Sequence, residues 1–95
     1  MYSERRRDCR EPEKVKVTIR GTHSNGVPFE EQTETVDVSA VGLAFYLSTP
    51  LYVRTFLSIE IGNSTFLSHI RKIQALVVRI DTSLPGKQLV AAQFL

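Results

Sequence analysis

The sequence predicts an all-β domain, a six-stranded antiparallel β-barrel preceded by a flexible basic N-terminal segment. Three observations predict it. Apolar and polar residues alternate in several short runs, no stretch carries the stripe of an amphipathic helix, and turn residues interrupt the runs at short intervals. Closing such strands into a barrel removes open edges that would otherwise pair with other chains.

The first run begins at Lys14, with Val15, Val17 and Ile19 on one side and Lys14, Lys16, Thr18 and Arg20 on the other. That is the period of a half-buried strand. His23-Ser24-Asn25-Gly26 follows, and Asn-Gly favours the positive φ of a hairpin turn. The returning strand is expected from Thr33 to Val38, with Val36 and Val38 facing the core. Ser39-Ala40-Val41-Gly42 breaks the alternation, which Leu43, Phe45 and Leu47 resume, so the junction reads as strand, tight turn, strand. Beyond Thr49-Pro50, Leu57, Ile59 and Ile61 form another alternating set, closed by the turn signal Gly62-Asn63-Ser64. The last two strands are expected from Ile70 to Ile80 and from Gln88 to Phe94, parted by Pro85-Gly86. Phe29, Phe45, Phe56, Phe66 and Phe94 read as core or barrel-rim residues. The boundary between segment and barrel is placed at residues 1–13 and 14–95, because Pro12 and the dense mixed charge before it disfavour regular structure.

Composition narrows the function. At 95 residues and 42% hydrophobic, the chain is long enough for one small domain. No apolar run is long enough to span a bilayer, and the charged N-terminus has no apolar segment behind it to make a secretory signal, so a cytoplasmic location is expected. Cys9 has no second cysteine to pair with, and neither His23 nor His69 has a neighbour at metal-ligand spacing, so no metal or cofactor is expected. Seven Lys or Arg face four Asp or Glu up to Arg20, and five face six from Gly21 onward. The basic end is the anion-facing end, but the surplus is too small for an extended nucleic-acid footprint.

Two motifs carry chemistry. Arg5-Arg6-Arg7-Asp8-Cys9-Arg10 places Arg6 and Arg10 four apart just before the first strand. A planar, permanently charged guanidinium matches both a phosphate and the O6/N7 edge of guanine, and it can stack on a base. Taken alone, the same run is a solvated basic patch. The second motif is Asp37-Val38-Ser39-Ala40-Val41-Gly42. A carboxylate here can accept from the N1 and N2 donors of guanine, Ser39 can add a short hydroxyl bond, and Gly42 permits a close approach. Taken alone, Asp, Ser and Gly are ordinary turn residues. Asp37 and Ser39, two apart, are expected on one strand face, and with nothing to mark an oxyanion hole a Ser39, His69, Asp37 triad is not supported, so the chain is not expected to be an enzyme.

Together the motifs resemble the PilZ family, whose signature is RxxxR before the first strand and (D/N)xSxxG some way after it. Arg6, Arg10, Asp37, Ser39 and Gly42 match it in order and spacing. Leu43-Ala44-Phe45 and Val90-Ala91-Ala92-Gln93-Phe94 also look like the family's strands, so the resemblance covers nearly the whole chain. It implies a barrel that binds cyclic di-GMP, a bacterial second messenger, between the arginine segment and the barrel face, and that changes its contacts with a protein partner or further domain on binding. It also implies a role for Arg5, because an arginine before the first motif arginine accompanies an intercalated ligand dimer. Two departures stand out. Ala91 occupies a position where the family often has glycine, and the family barrel is usually followed by a helix whereas this sequence ends at Leu95, as expected of a fragment or of a barrel closed another way. The competing expectations are a PilZ-like protein-interaction module that no longer binds nucleotide and, behind it, a single-stranded nucleic-acid binder, which would want aromatics and cations interleaved along the strands.

Overall fold

A computed structural model describes residues 12–23, 25–62, 64 and 71–95. Six strands form: β1 Lys16–Thr22, β2 Pro28–Val38, β3 Gly42–Leu47, β4 Phe56–Ile61, β5 Lys72–Asp81 and β6 Gln88–Phe94. They close into a barrel in the order β1-β2-β3-β6-β5-β4, every pair antiparallel. The predicted six-stranded antiparallel barrel is therefore the observed one, while residues 1–11 of the predicted N-terminal segment lie outside the described residues. β2 starts earlier than its apolar pattern suggests, because Pro28 to Gln32 pair with β1 although their side chains are largely polar. The expected strand start at Ile70 lies outside the described residues.

The alternating apolar residues point inward. Val17 and Ile19 of β1, Leu43, Phe45 and Leu47 of β3, Leu57, Ile59 and Ile61 of β4, Ala75 and Val77 of β5, and Val90 and Ala92 of β6 pack into one core. Each large aliphatic or aromatic side chain so buried contributes roughly 1.5–3 kcal/mol. The turns follow their residues: Gly26 takes φ 91° in the β1–β2 hairpin and Gly86 φ 77° between β5 and β6. The phenylalanines divide. Phe45 is buried, Phe29 and Phe94 are partly buried, Phe66 lies outside the described residues, and Phe56, the first residue of β4, is 62% exposed and not in the core.

The barrel departs from simple alternation at two places, and both departures aim a charged side chain. In β2, Thr35 pairs with Phe45 but Asp37 pairs with Ala44, so Val36 is an extra residue with no partner on β3. Without that bulge Asp37 would share the inward face of Thr35. With it, Asp37 turns outward, Val38 turns into the core, and Val36 is 38% exposed instead of facing the core as its spacing predicts. In β5, Val77 pairs with Ala92 but Arg79 pairs with Ala91. The inserted Val78 likewise turns Arg79 from the face of buried Val77 to the outside.

A candidate ligand face across four strands

Residues directly opposite in an antiparallel ladder point to the same side. Asp37 opposes Ala44, Ala44 opposes Ala91, and Ala91 opposes Arg79. Ala44 and Ala91 alternate with the core residues Leu43, Phe45, Val90 and Ala92, so the whole row lies on the outer face. It runs from a carboxylate, over two methyl groups, to a guanidinium. At about 4.8 Å between strands, its ends are roughly 14 Å apart along the sheet. The floor is low because Ala44 and Ala91 carry nothing longer than a methyl, and Gly42 beside them carries none. A flat ring can lie on such a floor, with a hydrogen-bond acceptor at one end and a cation at the other. Arg79 makes no hydrogen bond or ion pair with a described residue, and its charge also helps to hold the Asp81 carboxyl below its ordinary value, behind the larger effect of the Ser83 amide.

The residues of the second sequence motif divide between this face and the junction that supports it. β2 ends at Val38, and Ser39 is fully buried rather than sharing a strand face with Asp37. The Ser39 amide donates to the Gly42 carbonyl at 2.8 Å. The Ser39 hydroxyl accepts from the amides of Val41 and Gly42 at 3.2 and 3.1 Å, and donates to the Gly42 carbonyl at 3.2 Å. Gly42 sits where β3 crosses close to β6: a Cβ there would overlap the Ala92 carbonyl oxygen and press on the Gln93 Cα at 3.1 Å. Ser39 and Gly42 therefore fix the end of β2 on which Asp37 stands.

The chain leading in from the arginine motif is tied down close by. The Thr35 hydroxyl donates to the Glu13 carbonyl at 2.6 Å and accepts from the Val15 amide at 2.9 Å, and the Thr35 amide donates to the Val15 carbonyl at 2.9 Å. Ser64 donates to the Glu13 carboxylate at 3.0 Å. Residues 13–15 are thus pinned to β2 two positions from Asp37. Arg5, Arg6 and Arg10, with Cys9, lie outside the described residues, as does His69.

A concavity of about 850 Å³ opens elsewhere, over the outer face of β1 and β2, bordered by Lys14, Lys16, Glu34, Val36 and Tyr46 and by none of the four residues of the row. Its arginine is already engaged. Arg20 donates to Glu30 at 2.9 Å and to Glu60 at 3.0 Å, and these bonds, that to Glu60 foremost, hold its guanidinium above its ordinary pKa. Such an exposed cation, neutralised by two carboxylates, is a poor anion site. At the far side the Lys87 ammonium stands 4.7 Å from the centre of the Tyr46 ring. Among the described residues no cluster of three or more His, Cys, Asp or Glu could hold a metal ion, and no helix is long and apolar enough to cross a membrane.

Arg79 and Ala44 were not legible as site residues in the sequence. The signal that could have found Arg79 is the unbroken apolar run Ala75-Leu76-Val77-Val78 ahead of it, where strict alternation fails.

No protein-family model matches the chain, and no curated protein does. Solved structures do. The inhibitor of motility MotI/DgrA of Bacillus subtilis superposes with a TM-score of 0.70 at 22% identity, over 97% of this chain and 43% of its own. The K. pneumonia MrkH–c-di-GMP complex gives 0.60 at 21% identity, over 97% and 45%. The PilZ domain of YcgR from Escherichia coli, solved with c-di-GMP, gives 0.65 at 15% identity, over 97% and 79%. The barrel is PilZ-like in fold, and the chain spans less than half the length of the first two of these proteins.

Proposed function

We propose that this chain is a cyclic di-GMP receptor domain rather than an enzyme, and that the nucleotide lies on the outer row Asp37, Ala44, Ala91, Arg79 under a clamp formed by residues 1–13. The observation that carries the reading is the pair of bulges. Each turns one charged side chain outward, and the two flank a floor of small residues. A guanine on that floor offers its N1 and N2 donors to Asp37, while Arg79 takes a phosphate or an O6/N7 edge. Arg10 lies three residues before Glu13, within a reach of about 10 Å of the point where Thr35 pins the chain. Arg6 and Arg10 close on the phosphates and a guanine, and Arg5 contacts a second nucleotide. Ser39 and Gly42 act by positioning Asp37. Two of the similar structures hold the same nucleotide, which supports the choice of ligand. Ala91 carries a methyl where a glycine would carry none, and it stands in register with Ala44 in the row, both side chains buried, so the ligand reading takes the floor at the height of two methyl groups. Binding orders the clamp and changes the surface that a protein partner or a further domain meets, in a bacterial cytoplasm where this second messenger is made.

The test is calorimetric titration of cyclic di-GMP into the chain, with GTP as control. Saturable binding is expected, lost in an Arg6→Ala, Arg10→Ala variant and weakened about tenfold by Arg79→Ala, the loss of one charge-assisted contact. A stoichiometry near two nucleotides per chain is the expected signature of Arg5. No heat of binding to the folded chain would leave the alternative, an interaction module that has lost its nucleotide.

A further inference from the structure

A second outer region carries apolar and aromatic side chains that no described residue buries. Phe56 at the start of β4 opposes Leu76 of β5, both on the outer face. Beside them Tyr52 is 68% exposed, Phe56 62%, Val53 49% and Val78 44%. Scattered exposed apolar residues need no explanation, but a contiguous group with two aromatics does.

The turn that presents them is rigid and strained. The Thr55 amide donates to the Tyr52 carbonyl at 3.2 Å, closing a β-turn, and the Thr55 hydroxyl donates to the same oxygen at 2.6 Å. The Arg54 amide donates to the Val77 carbonyl at 2.7 Å and the Val77 amide to the Thr55 carbonyl at 2.9 Å, so the turn is stitched to β5. Arg54 occupies its third position at φ 78°, the left-handed conformation that turns usually give to glycine. It is the non-glycine residue with positive φ among those described. Holding an arginine there costs backbone energy, yet its guanidinium makes no ion pair with a described residue. Strain kept where a cheaper residue would serve points to use of the side chain.

Charge identifies what the surface fits. Arg54 projects from the turn and Arg79 borders the patch on its bulge, while the outward neighbours on β4 and β5 are Ser58 and Gln74. Of the acids further along, Glu60 is paired with Arg20, while Asp81 keeps its charge and accepts from the Ser83 amide at 3.0 Å beyond Arg79. A symmetric pairing of two copies would bring both Arg54 side chains into one interface, and the Tyr52–Thr55 turn carries no carboxylate to offset them. An anionic bilayer is a poor match too, since polybasic membrane attachment takes roughly four to eight cations. Tyr, Phe and Arg together are the composition of an interface hot spot. We propose that this patch docks an acidic amphipathic segment of a partner protein, its apolar side chains covering Phe56, Tyr52 and Leu76 and its carboxylates engaging Arg54.

The experiment follows amide NMR shifts while the full chain, without nucleotide, is titrated with a synthetic helix-forming peptide of leucine and glutamate and with its leucine and lysine counterpart. Saturable shifts are expected at Tyr52, Val53, Arg54, Phe56, Leu76 and Val78 with the glutamate peptide. Binding at least about tenfold weaker is expected for the lysine peptide, and a similar loss in Phe56→Ser and Arg54→Gly. Both variants change exposed residues, and Arg54→Gly relieves the turn, so unchanged spectra elsewhere will show that each is folded. Equal affinity for the two peptides, shifts that avoid the patch, or no saturation overturns the proposal. So does self-association through Phe56 in sedimentation, or adsorption of the chain to phosphatidylglycerol vesicles that shifts these same residues.

Discussion

Two turns of this barrel use their residues in opposite ways. The β2–β3 junction buries Ser39, satisfies its hydroxyl and the amides of Val41 and Gly42, and gives glycine to a position where β6 leaves no room for a side chain. The Tyr52–Thr55 turn exposes its aromatic residue and sets an arginine where glycine would be at ease. The first spends its chemistry on shape and so holds Asp37 still. The second carries strain and exposed apolar area that nothing within the described domain requires. Residues that look functional in a motif can be structural, and residues that look unremarkable can be the ones held in place for a partner.

The contrast breaks most readily at Gly42. Gly42→Ala forces a methyl into the Ala92 carbonyl, a rigid backbone atom, and should lower stability by about 3 kcal/mol, read as a lower urea midpoint with an unchanged slope. Ser39→Ala should cost about 2 kcal/mol in the same assay, because the buried Gly42 amide and the part-buried Val41 amide lose their acceptor. A smaller loss in either would mean that the junction can relax and is not the fixed support described. Arg54→Gly should move the other way, raising stability by up to about 1 kcal/mol as left-handed strain is relieved against the extra freedom glycine has when unfolded. A destabilised Arg54→Gly would mean that the arginine is structural after all.

The smallest effect sharpens the comparison with a third turn, satisfied but fully exposed. The Ser83 amide holds the Asp81 carboxyl below its ordinary value. Stability from this bond is present above the unfolded value, about pH 3.9, and is lost as the pH falls through it toward the lower folded value. Thermal melts at neutral pH and near pH 3 should therefore differ slightly less in Asp81→Asn than in the parent chain. An identical difference would mean that the bond carries no measurable stability.

Much of the barrel was legible in the sequence because period-2 alternation and Asn-Gly or Pro-Gly turns are local signals, and β1, β3, β4 and β6 follow them closely. What alternation could not show is where its phase slips. Val36 reads as a core residue because it stands two before Val38, and only the pairing of β2 with β3 shows that an unpartnered residue lies between Thr35 and Asp37. The same slip hid Arg79, whose place opposite Ala91 depends on a strand distant in sequence. Asp37 stands out in the sequence as a candidate through its motif, but Thr35, which ties residues 13–15 to the barrel, carries no local mark. Phe56 reads as core or rim by its residue type, and the phase that buries Leu57, Ile59 and Ile61 turns it outward.

The central claim is that two bulges build one nucleotide face, and amide shift mapping of the chain with cyclic di-GMP tests it most directly. The account predicts saturable shifts at Asp37 to Gly42, Ala44, Ala91 and Arg79, with the Tyr52–Thr55 turn and the Arg20, Glu30, Glu60 cluster largely still. Saturable binding that moves that cluster or that turn, and leaves Ala44, Ala91 and Arg79 unchanged, would contradict it.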